Sequence, residues 1–337
     1  MFALVTGGGG FLGRYIVEQL IARGDRVRSF SRSSSIELEL LGVEQVAGTL
    51  HDSEAVGAAC QGVDTVFHVA ALAGIWGPWK KFHATNVLGT EAVLAGCQTH
   101  GVQRLIYTSS PSVTFDGSDQ CNADESAPYP THWLAHYPKS KAIAEQAVLA
   151  ANEPGSLLTC ALRPHLIWGP RDGHLVPRLL ERQRSKQLRR VGDGTNLIDM
   201  IYVENAAMAH LQAADALAGS SDGAISPVAG RAYFLSQGTA VNCWNWINEL
   251  LALAGLPPVK RGISLAAAWR IGAAMETAYR ALNIQREPRM TRFLASQLGK
   301  SHYFDISAAR RDFGYSPRVS TEEGMRRLKE WLRAESR

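Results

Sequence analysis

Thr6 and the glycines that follow it place the tightest constraint on this chain. Phe2 to Val5 is an apolar run, glycines occupy positions 7, 8, 9, 10 and 13, and Phe11 to Arg23 carries Leu12, Ile16, Leu20 and Ile21 on one helical face. Strand, glycine turn and helix form the unit that cradles a dinucleotide pyrophosphate. The glycines allow close backbone approach, and the helix start offers free N–H groups and a positive dipole end. The spacing Gly7-x-x-Gly10-x-x-Gly13 makes Gly7, Gly10, Phe11, Leu12 and Gly13 the expected cradle.

Strand and helix signals then alternate. Strands are expected at 26–31, 43–47, 65–69, 104–108 and 157–162, with helices near 53–60, 86–100 and 137–151. This βαβ rhythm predicts a Rossmann-type α/β fold, a doubly wound parallel sheet. After Arg163 the rhythm breaks into Pro/Gly punctuation. Helices are expected at 203–217, 242–254, 264–282, 291–298 and 321–333, and a polar loop at 219–230. The expected division is a dinucleotide-binding domain, 1–163, and a smaller, mainly helical substrate lobe, 164–337, from which some segments return to the first domain.

Composition narrows the function classes. A formal net charge of +4, with no Lys/Arg run longer than two, does not indicate a nucleic-acid surface. Five scattered cysteines without C-x-x-C spacing read as reduced thiols of a cytoplasmic protein. No apolar run reaches the ~20 residues of a membrane span, because Arg270, Glu276 and Arg280 interrupt the best candidate. His68, His136 and His165 lack metal-ligand spacing, so no metal is expected.

Tyr137-Pro-Lys-Ser-Lys141 puts a phenol and an ammonium four residues apart on one helix face. A free phenol titrates near pH ~10, and a neighbouring cation favours its ionised form. Ser110 follows an apolar strand and can hydrogen-bond a substrate oxygen. The second strand ends Phe30-Ser31-Arg32-Ser33 without a carboxylate, so Ser31 and Arg32 favour a ribose 2′-phosphate and NADP(H) over NAD(H).

With these residues in order, the chain resembles the extended short-chain dehydrogenases/reductases, and among them the 3β-hydroxysteroid dehydrogenase family. The resemblance rests on the glycine loop and on Val66-Phe-His-Val-Ala-Ala71, Asn86-Val-Leu-Gly-Thr90, Tyr137/Lys141 and Leu162-Arg-Pro-His-Leu-Ile-Trp-Gly-Pro170. Asp199–Asn205 and Ala309–Pro317 match later landmarks. It implies an oxidoreductase with Tyr137, Lys141 and Ser110 catalytic. It also implies cofactor contacts at Val69, Ala70, Ala71, Asn86, Pro164 and His165, with Thr49 and Leu50 replacing the usual Asp at the adenine. Tyr107–Gly117 resembles two subgroups, the 2-alkyl-3-ketoalkanoate reductases and the sterol-4α-carboxylate 3-dehydrogenases. Gly262–Leu265 and Ser301–Phe304 lean to the first.

The implied substrate is bulky and hydrophobic. The stripe Leu265, Trp269, Gly272, Met275, Tyr279 and Leu282, with Trp76 and Trp79, is expected either to line its cleft or to pack the lobe. Nucleotide-sugar epimerases share the triad but usually carry an asparagine where Pro164-His165-Leu166 stands. Dehydratases need Asp-Glu where Pro111-Ser112 stands. A non-catalytic NADP sensor would generally lose the Tyr/Lys pair. Ala92, Val93, Cys97, Ala144, Ala147 and Val148 suit a homodimer seam or packing on the sheet equally.

Overall fold

The computed structural model describes residues 1–219 and 226–335, so residues 220–225 of the expected polar loop lie outside the described residues. Seven strands form one parallel sheet: β1 (Phe2–Thr6), β2 (Arg26–Ser31), β3 (Glu44–Ala47), β4 (Thr65–His68), β5 (Arg104–Thr108), β6 (Leu158–Pro164) and β7 (Arg231–Leu235). Their order is β7-β6-β5-β4-β1-β2-β3. β1 lies inside the sheet, between β4 and β2. The chain therefore reverses its direction of sheet growth beside the glycine loop, where such sheets open a ligand crevice.

Six strands fall where apolar runs predict them. β7 is not legible in the same way. Its Ala232-Tyr-Phe-Leu235 is an apolar run, but it stands in the lobe sequence after the polar loop, outside the βαβ alternation, and it pairs with β6 from Arg231↔Cys160 to Leu235↔Pro164. The segment after residue 163 thus returns to the sheet. Helix α4 (Val203–Leu217) returns with it and packs on α1 (Phe11–Ala22) in one apolar cluster containing Ile16, Leu20, Ala206, Ala213 and Leu217.

Helix α2 (Gly89–Thr99) is preceded by a π-helical turn, His83–Leu88. Such turns widen the backbone locally and concentrate at functional sites. Helix α3 (His136–Ala150) lies near it and begins with the Tyr/Lys motif. Val93, Cys97, Ala144 and Val148 are fully buried in the core under these helices, with Ala92 and Ala147 packed against it. Packing in this core accounts for the four buried residues.

The lobe has its own core of Trp168, Met200, Tyr202, Trp244, Trp246 and Leu250. A four-stranded sheet joins Leu197–Ile198 and Val241–Asn242 of the lobe to His302–Phe304 and Gln120–Ala123. Helix α5 (Leu265–Ala281) forms its outer wall. Its buried residues are Ala268, Gly272 and Glu276, so the buried arc is centred one position away from the expected stripe. Trp269 and Leu282 are exposed.

Candidate active site

The glycine cradle is built by backbone contact. Gly7 adopts φ +73° and donates to the Phe30 carbonyl at 2.7 Å. A Cβ on Gly13 would sit inside the Gly7 carbonyl oxygen. Gly10 starts α1, and no side chain caps that helix and no acid stands in its first turn. The anion-binding potential of the helix start is therefore free. At the end of β2 the buried hydroxyls of Ser29 and Ser31 have no partner, and Arg32 beside them is exposed. Unpartnered buried hydroxyls call for an occupant. The cradle, the uncapped helix and these hydroxyls fit a dinucleotide.

A buried histidine ties this cradle to the next strand. His68 Nδ1 lies 2.8 Å from Thr6 Oγ1, and Nε2 lies 2.9 Å from Thr90 Oγ1. Thr90 donates its proton to the Asn86 carbonyl, while Thr6 Oγ1 accepts from the Val69 and Ala70 amides. The directions of these bonds make His68 the Nε2–H tautomer. Burial and Lys141 push its pKa down to about 3, so it stays neutral. Val69 and Ala70 are thereby fixed against Gly7, whose added Cβ would meet Ala70 at 3.1 Å. Thr49 is half-buried and Leu50 buried beneath this edge, while Ala71 is exposed at its rim.

Asn86, expected to touch cofactor, has its amide committed within the protein. Its Oδ1 accepts from Leu72 N at 2.7 Å, and Nδ2 donates to the Leu72 carbonyl and to Ser140 Oγ. Ser140 in turn donates to the Tyr137 carbonyl at 2.8 Å. The π-helical turn thus holds the first turn of α3.

Tyr137 and Ser110 meet, whereas Lys141, expected to favour ionisation of Tyr137, is not among the groups that move the tyrosine. The Tyr137 pKa is raised by burial and pulled back by a hydrogen bond with Ser110. Ser110 Oγ accepts from Ser112 N and lies 2.8 Å from Ser112 Oγ, a bond in which either hydroxyl can donate. Lys141 Nζ donates to the Thr108 carbonyl at 2.6 Å and lies 4.0 Å from the centre of the Tyr107 ring. Burial drives its pKa down to about 7 against the upward pull of Glu145. Here the groups that move Tyr137 are burial and Ser110, and the lysine acts from behind, along β5.

Glu145 is a participant that sequence reading missed. It is fully buried one turn beyond Lys141, accepts from Arg163 at 2.6 Å and accepts the Tyr129 hydroxyl at 2.7 Å. Its i,i+4 position to Lys141 was the available signal.

Pro164 ends β6, and His165 behind it is buried in a second network. His302 Nε2 donates to the Gln297 carbonyl, leaving His302 Nδ1 to accept from His165 Nε2 at 3.1 Å. On its other side His165 Nδ1 lies 2.6 Å from Asp199 Oδ1. Burial and His165 hold the His302 pKa down at about 4. Asp199 also accepts from Phe304 N, so this node joins β6 to the lobe.

A cleft of about 280 Å³ opens beside the start of α3, between Trp76, Leu134 and His136 on one side and Tyr279, Arg280 and Ile284 on the other. Trp76 donates to the Ile284 carbonyl at 3.1 Å and stands edge-on to Tyr279. Of the expected substrate residues, Trp76 lines this cleft. Trp79 packs instead on His83 and His136 under Lys139. Trp269 faces Arg292 and is 41% exposed, and Met275 is half-buried outside the cleft wall. Gly272 meets the backbone of Thr291 and Arg292, so neighbouring α5 positions are drawn into helix packing.

Residues 4–265 match the model of the 3-beta hydroxysteroid dehydrogenase/isomerase family. A 2-alkyl-3-oxoalkanoate reductase of Stenotrophomonas maltophilia is 50% identical over 98% of this chain and 98% of its own length. Its namesake from Shewanella oneidensis is also 50% identical, over 97% of this chain and 85% of its own length. The mouse sterol-4-alpha-carboxylate 3-dehydrogenase, decarboxylating, is 34% identical over 96% of this chain and 88% of its own length. Among solved structures, the UDP-glucose 4-epimerase of Thermus thermophilus in complex with NAD superposes with a TM-score of 0.72. It is 24% identical, covers 99% of each chain, and supports the fold alone. The chain belongs to the 3-beta hydroxysteroid dehydrogenase/isomerase family and is an NAD(P)-dependent oxidoreductase acting on CH–OH and keto groups.

Proposed function

We propose that this enzyme reduces 2-alkyl-3-oxoalkanoates to the 3-hydroxy acids with NADPH. The observation that carries the reaction is the hydroxyl pair Tyr137–Ser110 with the buried Lys141 behind it. The substrate class is supported by the names of the two 50% identical relatives and by the aromatic wall of the cleft. A nicotinamide dinucleotide held by Gly7, Gly10–Gly13 and the β2 end supplies the hydride when bound. Tyr137 donates its proton to the ketone oxygen as charge builds there, acting as general acid. Ser110 donates a hydrogen bond to the same oxygen. Lys141 supplies positive charge along β5 and a donor for ribose. Pro164 and the backbone near Val69–Ala71 would hold the nicotinamide end, and Arg32 with Ser31 would receive a 2′-phosphate. Residues 1–163 with β7 and α4 hold the dinucleotide, and most of the remaining chain holds the substrate. The reduced cysteines support a cytoplasmic enzyme.

A second reading, oxidation of a 3β-hydroxysteroid or sterol acid, is favoured by the sterol relative. Long-chain 2-alkyl-3-oxo acids, 3-ketosteroids with their alcohols, and UDP-sugars, each assayed with both cofactors, separate the readings. The proposal expects keto-acid turnover with NADPH. Turnover confined to UDP-sugars contradicts it, and steroid turnover without keto-acid turnover exchanges the two substrates.

A further inference from the structure

The cleft beside the start of α3 carries an unbalanced charge. Among the described residues, its lining contains one acid, Glu276, and two arginines, Arg280 and Arg292. Burial, followed by the charges of Arg280 and Lys139, pushes the His136 pKa down, so that ring adds no charge at neutral pH. One positive charge in the cleft is therefore left over.

Hydrogen-bond lengths show which arginine holds it. Glu276 is buried, and its Oε1 accepts from Arg292 N at 2.7 Å. Its Oε2 accepts from Arg292 Nε at 3.0 Å and from Arg292 Nη2 at 2.8 Å. Arg280 Nη2 reaches the same oxygen only at 3.4 Å, beyond the usual range for such bonds. Arg292 thus neutralises the carboxylate, and Arg280 is the spare cation. Its guanidinium stands 5.5 Å from the centre of the Trp76 ring, and Trp76 is itself pinned by its bond to the Ile284 carbonyl. The Arg280 side chain is 58% exposed, so most of its five N–H donors are open to a ligand.

Trp76, Leu134, Tyr279 and Ile284 give the same cleft an apolar wall. An apolar wall with one unneutralised guanidinium suits a hydrophobic ligand whose head is an anion. In a 3-oxo acid a single carbon separates the carboxyl carbon from the ketone carbon, so the group that receives the carboxylate must stand near the proton donor. His136, which lines the cleft with Arg280, immediately precedes Tyr137. We propose that Arg280 receives the substrate carboxylate through its planar fork and selects anionic over neutral substrates. Glu276 and Trp76 hold the fork in place. Arg280 binds and moves no proton, and the chemistry stays with Tyr137 and Ser110. This assignment rests on the cleft being the substrate site of the proposed reaction.

The test is calorimetric titration of the full chain, with and without saturating NADP+, by 2-hexyldecanoic acid and by its primary amide, both below the concentrations at which they aggregate. Neither compound carries a ketone, so binding is read without turnover. A hydrogen-bonded charge predicts that the wild type binds the acid at least about ten-fold more tightly than the amide, with the preference shrinking as salt rises. Arg280→Gln should bring the two dissociation constants within about three-fold of each other while keeping the wild-type melting temperature. Arg280→Lys, which keeps the charge and loses the fork, should bind the acid more weakly than the wild type and more tightly than Arg280→Gln. A wild type that binds neither compound, or binds the acid no more tightly than the amide, overturns the proposal. So does a folded Arg280→Gln or Arg280→Lys that keeps the full preference. NADPH turnover of a long-chain 2-alkyl-3-oxo acid is measured alongside. Preference for the acid without turnover contradicts the reaction and leaves the carboxylate site standing, and turnover without the preference does the reverse.

Discussion

At the scale of single residues, Ser110 and Arg32 have opposite surroundings. Ser110 is held by Ser112 N and Ser112 Oγ and is hydrogen-bonded with Tyr137, which sets its hydroxyl beside the proposed proton donor. Ser110→Ala should lower kcat by roughly 10²–10³-fold with little change in cofactor affinity. An unchanged kcat would reduce Ser110 to a cap of the short turn at Pro111. Arg32 is exposed at the β2 end, beside a buried Ser31 hydroxyl that lacks a partner. Arg32→Ala should weaken NADPH by more than about ten-fold and leave NADH nearly untouched, since a charge-assisted bond to phosphate is lost. Titration of both cofactors checks this, and equal weakening of the two would refute the assignment.

At the scale of elements, α3 shows how one helix combines chemistry with a buried charge network. Its first turn is held through Asn86 and Ser140, its second turn carries Lys141, and Glu145 follows on the same face. As pH falls from about 10.5, the unfolded chain protonates the lysine, while the folded chain does so only near 7. Stability from this group is therefore lost as pH falls through that window and is constant below it. Glu145→Gln removes the anion that raises the Lys141 pKa and leaves Arg163 buried without its partner. The expected cost is about 3–5 kcal/mol in urea unfolding, the range for breaking a buried ion pair from one side. The Lys141 titration should also move further down. A loss under about 1 kcal/mol would show that Arg163 finds water or another acceptor.

At the scale of the molecule, sequence legibility follows the range of the interactions. The cradle, six strands and the Tyr137/Lys141/Ser110 set are local patterns, and each residue lies where its own segment predicts. His165 was legible as a cofactor contact only through the family resemblance, and its network was not. Its partners Asp199 and His302 lie 34 and 137 positions away, and no short spacing announces them. The α5 stripe holds at Leu265, Gly272 and Tyr279 but not at Trp269 and Leu282, for a related reason. Periodicity identified the helix, but Gly272 against Thr291 turned its contact arc towards Ala268 and Glu276. β7 was missed although Ala232-Tyr-Phe-Leu235 is an apolar run, because the lobe segment between it and β6 breaks the βαβ rhythm that marked the other strands. The central claim is that these distant pieces converge on one proton donor. Its most direct measurement compares wild type and Tyr137→Phe in single-turnover oxidation of NADPH by a long-chain 2-alkyl-3-oxo acid, with the NADPH dissociation constant measured alongside. Loss of the positioned acid should slow the step by roughly 10²–10⁴-fold, with cofactor affinity unchanged. A variant that keeps its rate within about ten-fold of wild type, below the range for general acid catalysis, would contradict the account.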